Sequence, residues 1–230
     1  APIHKAVRQC DVEALRRELE QGVDPDLRVT ETDLTPLQLL PRGSRTCSAE
    51  ALQCYRLLLD YGATVDVRDS INDTLLHDAC LYGASELVAL LLEAGADVHA
   101  RGSQQDTPLH NAARLGGAAS IRLLLRAGAE VNARNENNLT PLEQSINGDV
   151  FGRTNSGVYP ILLRAGADLP AQTNSPYLQK VIDAGGWANY ERQHLDQLTA
   201  MLTPKPTPND GRRRSRRRLS PLRRVPPEVL

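Results

Sequence analysis

Apolar residues along the chain come in short leucine-rich blocks. RLLLDYG, ALLLEAG, RLLLRAG and ILLRAG each close on a glycine, at Gly62, Gly95, Gly128 and Gly166. Each block predicts an apolar helix ended by a left-handed C-cap. A stretch rich in Asp, Asn and Gly follows each one and predicts a reversal of the chain. Upstream of these blocks, Thr35-Pro36, Thr107-Pro108 and Thr140-Pro141 mark helix starts. Proline there has φ already set and lacks an N–H that would be unpaired anyway, while the threonine hydroxyl can cap orphan donors.

The pattern is periodic. The segment DSINDTLLHDACLYGASELVALLLEAGADVHAR is followed directly by GSQQDTPLHNAARLGGAASIRLLLRAGAEVNAR, and Thr74, Thr107 and Thr140 lie 33 residues apart. A 33-residue period with T-P-L-H near its start and L-L-x-x-G-A-D near its end resembles the ankyrin repeat. Weaker copies begin at Ala1-Pro2-Ile3-His4, at Thr35-Pro36-Leu37 and at Thr140-Pro141-Leu142. The resemblance implies an all-α solenoid of about five repeats over residues 1–170, with β-hairpin fingers and with enlarged Gly/Ser/Thr-rich loops near 41–50 and 147–157. It also implies that His77 and His110 tie a helix start to the neighbouring repeat. Ala79, Ala112 and Ala113 are small enough to let adjacent helices approach.

Beyond the repeats, PYLQKVIDAGG and WANYERQHLDQLTAMLTP predict two further helices. In the second, Trp187, Tyr190, His194, Leu195 and Leu198 share a face. A helical cap over 171–202 is expected, because the last repeat of a solenoid otherwise exposes an apolar face. Residues 203–230 read as a disordered Arg/Pro-rich tail.

Aromatics are only 3% of the chain, which is thin for one large core but adequate for a stack of repeats. No apolar run approaches the length of a membrane span, and no secretory leader opens the sequence. Cys10, Cys47, Cys54 and Cys80 form no C-x-x-C pair. They read as reduced thiols of a cytoplasmic or nuclear protein. The net charge of −1 conceals an acidic solenoid and a tail of +7 over 205–230. The cluster Arg212, Arg213, Arg214, Arg216, Arg217 and Arg218 reads as a solvated linker, a nuclear-import signal or a contact for an acidic surface. No aromatic interleaves with it, so specific nucleic-acid recognition is not expected. Phosphorylation of Ser215 or Ser220 would weaken any contact the cluster makes. The closing LSPLRRVPPEVL looks like the entry to a SOCS-box or F-box helix. That resemblance implies a substrate receptor of a cullin-type ubiquitin ligase, with cullin-ligase subunits as partners.

In ankyrin arrays a protein partner lies along finger tips and the exposed face of each first helix. Carried onto this chain, the fingers supply Glu31, Thr32, Arg68, Ser70, Asp73, Arg101, Ser103, Gln104, Asp106, Arg134 and Glu136. The first helices supply Leu81, Tyr82, Asn111, Arg114 and Leu115. The arginines, 33 residues apart, are either a recognition ladder or polar filler. Asn132, eight residues after Leu124, resembles the site at which an asparaginyl hydroxylase modifies such repeats; a purely structural hairpin asparagine is the alternative. No phosphate-binding loop, metalloprotease helix or nucleophile elbow appears. Neither an enzyme nor any cofactor or metal is expected. The function expected is that of an intracellular scaffold or adaptor.

Overall fold

The structure, a computed structural model, describes residues 2–28, 34–40, 48–115, 117–149 and 157–195. Twelve α-helices lie among them, and the first ten fall in chain order into five successive pairs. These are α1 (Pro2–Gln9) with α2 (Val12–Glu20), α3 (Pro36–Leu39) with α4 (Ala49–Asp60), α5 (Leu75–Tyr82) with α6 (Ser85–Glu93), α7 (Pro108–Arg114) with α8 (Ala118–Arg126), and α9 (Pro141–Asp149) with α10 (Tyr159–Arg164). Among first helices, α1 packs on α3 and α7 lies between α5 and α9; second helices pack on second helices along α2, α4, α6, α8 and α10. The result is a two-layer solenoid.

The periodic leucines explain the stacking. Leu37, Leu76, Leu109 and Leu142 are buried at matched positions of the first helices, and Leu58, Leu91, Leu124 and Leu162 at matched positions of the second. Each buried leucine is worth about 1.5–3 kcal/mol. Ala79, Ala112 and Ala113 are fully buried where first helices meet. The glycine caps follow the sequence expectation: Gly95, with φ +87°, sends its N–H to Leu92 O at 3.1 Å, and Ala96 N–H reaches Leu91 O at 3.0 Å. This Schellman arrangement satisfies the last helical carbonyls.

Cys10 takes a position that elsewhere falls to glycine. It lies just past α1 with φ +51°, the position that Gly83 (φ +69°) takes after α5. The fingers keep the reversal of a hairpin but reduce its ladder to one isolated antiparallel bridge, Arg68 with Thr74. Among the described residues no strand forms.

After the fifth pair come α11 (Pro176–Asp183) and α12 (Trp187–Gln193), which pack on each other. Tyr177 bridges them to the fifth repeat, its ring 5.6 Å from that of Tyr159 and 5.5 Å from that of Tyr190. Arg164 of α10 pairs with Glu191 of α12. The Arg-rich tail, with Ser215 and Ser220, lies outside the described residues, as do Glu31, Thr32, Cys47 and most of both enlarged loops.

Candidate functional site

Each of the three fingers that follow repeats two, three and four is closed by one backbone bond across its base. Asp69 N–H donates to Asp73 O at 2.9 Å, Gly102 N–H to Asp106 O at 2.9 Å, and Asn135 N–H to Leu139 O at 3.1 Å. Gln104 (φ +54°) is left-handed in the middle one of these fingers, and the residue four positions past each arginine is left-handed in all three: Asn72 (φ +72°), Gln105 (+57°) and Asn138 (+59°). Asparagine tolerates this conformation better than most residues, and glutamine has less local help. The carbonyls of these three residues face the arginines at the finger base.

The arginines therefore act first as staples. Nη1 of Arg68 donates to Asn72 O at 2.9 Å in its own finger and to Arg101 O at 2.6 Å in the next. Arg101 repeats this with Gln105 O (3.1 Å) and Arg134 O (2.7 Å), and Arg134 reaches Asn138 O at 2.6 Å. A 33-residue spacing in the sequence becomes a chain of bonds along the row of fingers. Arg68 and Arg134 remain exposed, so their outer edges still face solvent.

Beneath the staples runs a buried polar relay. Thr74 N–H donates to His77 Nδ1 at 3.2 Å. The proton of the neutral ring therefore sits on Nε2, which donates to Asp106 O in the next finger at 3.1 Å. His110 does the same with Thr107 N–H (3.2 Å) and Leu139 O (2.9 Å). Gln38 mimics both imidazole nitrogens with one amide: its Oε1 accepts from Thr35 N–H at 3.1 Å, and its Nε2 donates to Arg68 O at 3.1 Å. Burial holds both imidazoles below the ordinary histidine value, partly offset by their carbonyl acceptors.

Two aspartates complete the relay. Asp73 Oδ1 accepts Ser103 N–H at 2.7 Å, and Asp106 Oδ1 accepts Asn135 Nδ2 at 2.7 Å. The first contact requires glycine at 102, because a Cβ there would lie 2.1 Å from Asp73 Oδ1.

The residues expected at a partner surface thus divide. Ser70, Gln104 and Glu136 are exposed, and Tyr82 is 43% exposed at the end of α5. Arg101, Ser103, Arg114, Leu81 and Leu115 are half-buried. Asp73, Asp106 and Asn111 are corrected: all three are buried, and Asn111 Nδ2 reaches His77 O at 3.4 Å inside the stack. Neighbouring repeats cover them, so they present no surface. Ile71 was missed. It stands 58% exposed beside Asn72, and its signal is an isoleucine within an otherwise polar finger.

Asn132 is engaged at the neck of the next turn. Its Oδ1 accepts Asp168 N–H at 2.9 Å and its Nδ2 donates to Gly166 O at 3.1 Å. Asp26 and Asp66 hold matching contacts to Thr64 and Asp97. Among the thiols, Cys10, Cys54 and Cys80 are free, and burial pushes Cys54 up to about 11.

A family model of ankyrin repeats in three copies matches residues 3–102, and a single ankyrin-repeat model matches 104–136. The chain belongs to the ankyrin-repeat family. The fifth ankyrin repeat, past residue 136, follows from its own helices and from Gly166 at φ +91°. Ankyrin repeats are general protein–protein interaction modules, and ankyrin-repeat proteins are typically non-catalytic binding scaffolds. Among the described residues no helix is long and apolar enough to cross a membrane.

Proposed function

We propose that this ankyrin protein is a scaffold or adaptor whose protein partner lies along the fingers and first helices of repeats three and four. The observation that carries this reading is a division of labour. The finger carbonyls and buried carboxylates are spent on neighbouring repeats, whereas Ile71 and Tyr82 are left uncovered at 58% and 43% exposure. An aromatic side chain with a polar tip on a rigid support is the kind of residue that anchors interfaces. Exposed Gln104, Glu136 and the outer edges of the arginines give the fingers a polar surface, which selects a partner by complementary charge. About 800 Å² per partner makes a standard interface, and several adjacent fingers supply it. The cell interior is the expected setting, since Cys54 and Cys80 are buried free thiols.

The test is affinity purification with mass spectrometry from cells of the native source. The chain is compared with an Ile71→Ser/Tyr82→Ala variant and with Arg126→Ala at the exposed end of α8. The proposal expects partners lost from the double variant and retained by the α8 variant, with circular dichroism unchanged in both. Equal recovery from all three would move the interface elsewhere. Recovery of cullin-ligase subunits, abolished by substitutions within residues 219–230, would sharpen the reading to a ligase receptor. Nuclear exclusion on replacing Arg212–Arg218 would instead mark a nuclear regulator.

A further inference from the structure

The relay that ties helix starts to the next finger ends at the fifth repeat with a change of chemistry. Gln38, His77 and His110 each accept from the capping threonine N–H and donate onward to a finger carbonyl. Glu143 holds the fourth such slot. It accepts Thr140 N–H at 2.8 Å through Oε2, but a carboxylate has no donor to send onward. The chain ahead of it is also shorter. Thirteen residues lead from Gly95 to Pro108 and from Gly128 to Pro141, but only ten from Gly166 to Pro176.

A cleft of about 290 Å³ opens between Glu143 and this shortened connection. Leu139, Ile146 and Pro170 contribute its apolar lining, and Glu143, Gln172, Thr173 and Asn174 a larger polar share. Glu143 is 25% exposed at its edge, and Oε1 has no partner among the described residues. Arg134 Nη1 forms a loose ion pair with Oε2 at 3.7 Å from the finger side, and Oε1 is the oxygen left for a further donor.

Resting on the scaffold reading above, we infer that this cleft is a subsite for one lysine or arginine side chain of the bound partner protein. Its volume is at the lower end of ligand pockets, which suits a single side chain. Apolar atoms of Leu139, Ile146 and Pro170 in the same cleft as a carboxylate suit a methylene stem that carries a cationic head. The head brings the N–H donors that the relay lacks at this point, and a charge-assisted bond to Glu143 is stronger than a neutral one.

The test titrates a short blocked peptide carrying a single arginine into the ¹⁵N-labelled full chain. Saturable amide shifts at Leu139, Ile146, Gln172 and Thr173 are expected, with Kd on the order of millimolar. Glu143→Gln keeps the helix cap, as Gln38 does for Thr35 in the second repeat. It should nevertheless weaken the peptide about tenfold, the loss of one charge-assisted contact. A citrulline peptide should leave the four amides unmoved. Shifts scattered over exposed carboxylates, or equal binding by Glu143→Gln, overturn the subsite. So does movement of the same amides when Arg212–Arg218 are changed to serine without peptide, because the chain's own tail would then be the occupant. If the peptide fails while the Ile71/Tyr82-dependent partner is still captured, the scaffold stands and the subsite falls.

Discussion

The middle of the solenoid and its C-terminal end are held together by different physics. Between repeats three, four and five, equivalent polar residues bond to one another: arginine to the next arginine's carbonyl, histidine to the next finger, aspartate to Ser103 or Asn135. At the end, Tyr159, Tyr177, Tyr190 and Trp187 pack ring against ring, and one Arg164–Glu191 pair sits at the edge. Hydrogen bonds demand register, because donor and acceptor must meet within a few tenths of an ångström. Apolar contact scales with area and tolerates an irregular partner. A strict 33-residue spacing therefore supports the first kind of joint, and the shortened connection before α11 leaves only the second.

The largest effect should come from breaking the register-dependent joint. Gly102→Ala places a methyl on Asp73 and displaces it from Ser103, for an expected loss of about 3 kcal/mol in urea unfolding. A loss under about 0.5 kcal/mol would show that the aspartate contact is incidental.

The relay also predicts acid sensitivity. Unfolded histidine takes up a proton near pH 6.5, whereas burial delays this in the folded chain for His77 and His110. Unfolding then binds protons. Stability is fully present above about pH 6.5 and is lost as pH falls from there through the lowered folded values. Each displaced pKa unit is worth about 1.4 kcal/mol. Replacing both histidines with glutamine, on the precedent of Gln38, should flatten most of that slope between pH 7 and 5.

Asn132→Ala removes two half-exposed bonds to the fifth repeat and should cost about 1 kcal/mol. The smallest effect belongs to the aromatic end. The Tyr177 hydroxyl is buried with no bonding partner among the described residues. Tyr177→Phe should leave stability within about 0.5 kcal/mol of wild type, or raise it. A loss above about 1 kcal/mol would reveal a hydrogen bond at the end of the stack and blur the contrast.

Much of the fold was legible because its determinants are local and periodic. Glycines after Leu-rich blocks, Thr-Pro starts and alanines at contact slots can be read without coordinates. The surface was less so. Asp73, Asp106 and Asn111 look like polar residues free to meet a partner, and only the adjacent repeat reveals that they are covered. The arginine spacing was visible, but not that one guanidinium bridges two fingers, since that depends on a left-handed residue four positions on. Ile71 was hidden by its polar neighbours. Glu143 shares a slot with His110, yet the meaning of that exchange emerges only once the onward acceptor is seen to be missing.

The staples also set a rule for tolerated change. Both enlarged loops fall between the two helices of a pair, at 41–50 and 147–157, whereas the second and third fingers match in length. The solenoid thus has a gauged edge, whose pitch every bond from Arg68 to Arg134 enforces, and an ungauged edge opposite. A fluorescent module spliced into the helix–helix turn of repeat two should leave the molecule folded, and the same insert in the Ser103–Gln105 tip should uncouple one half of the array from the other.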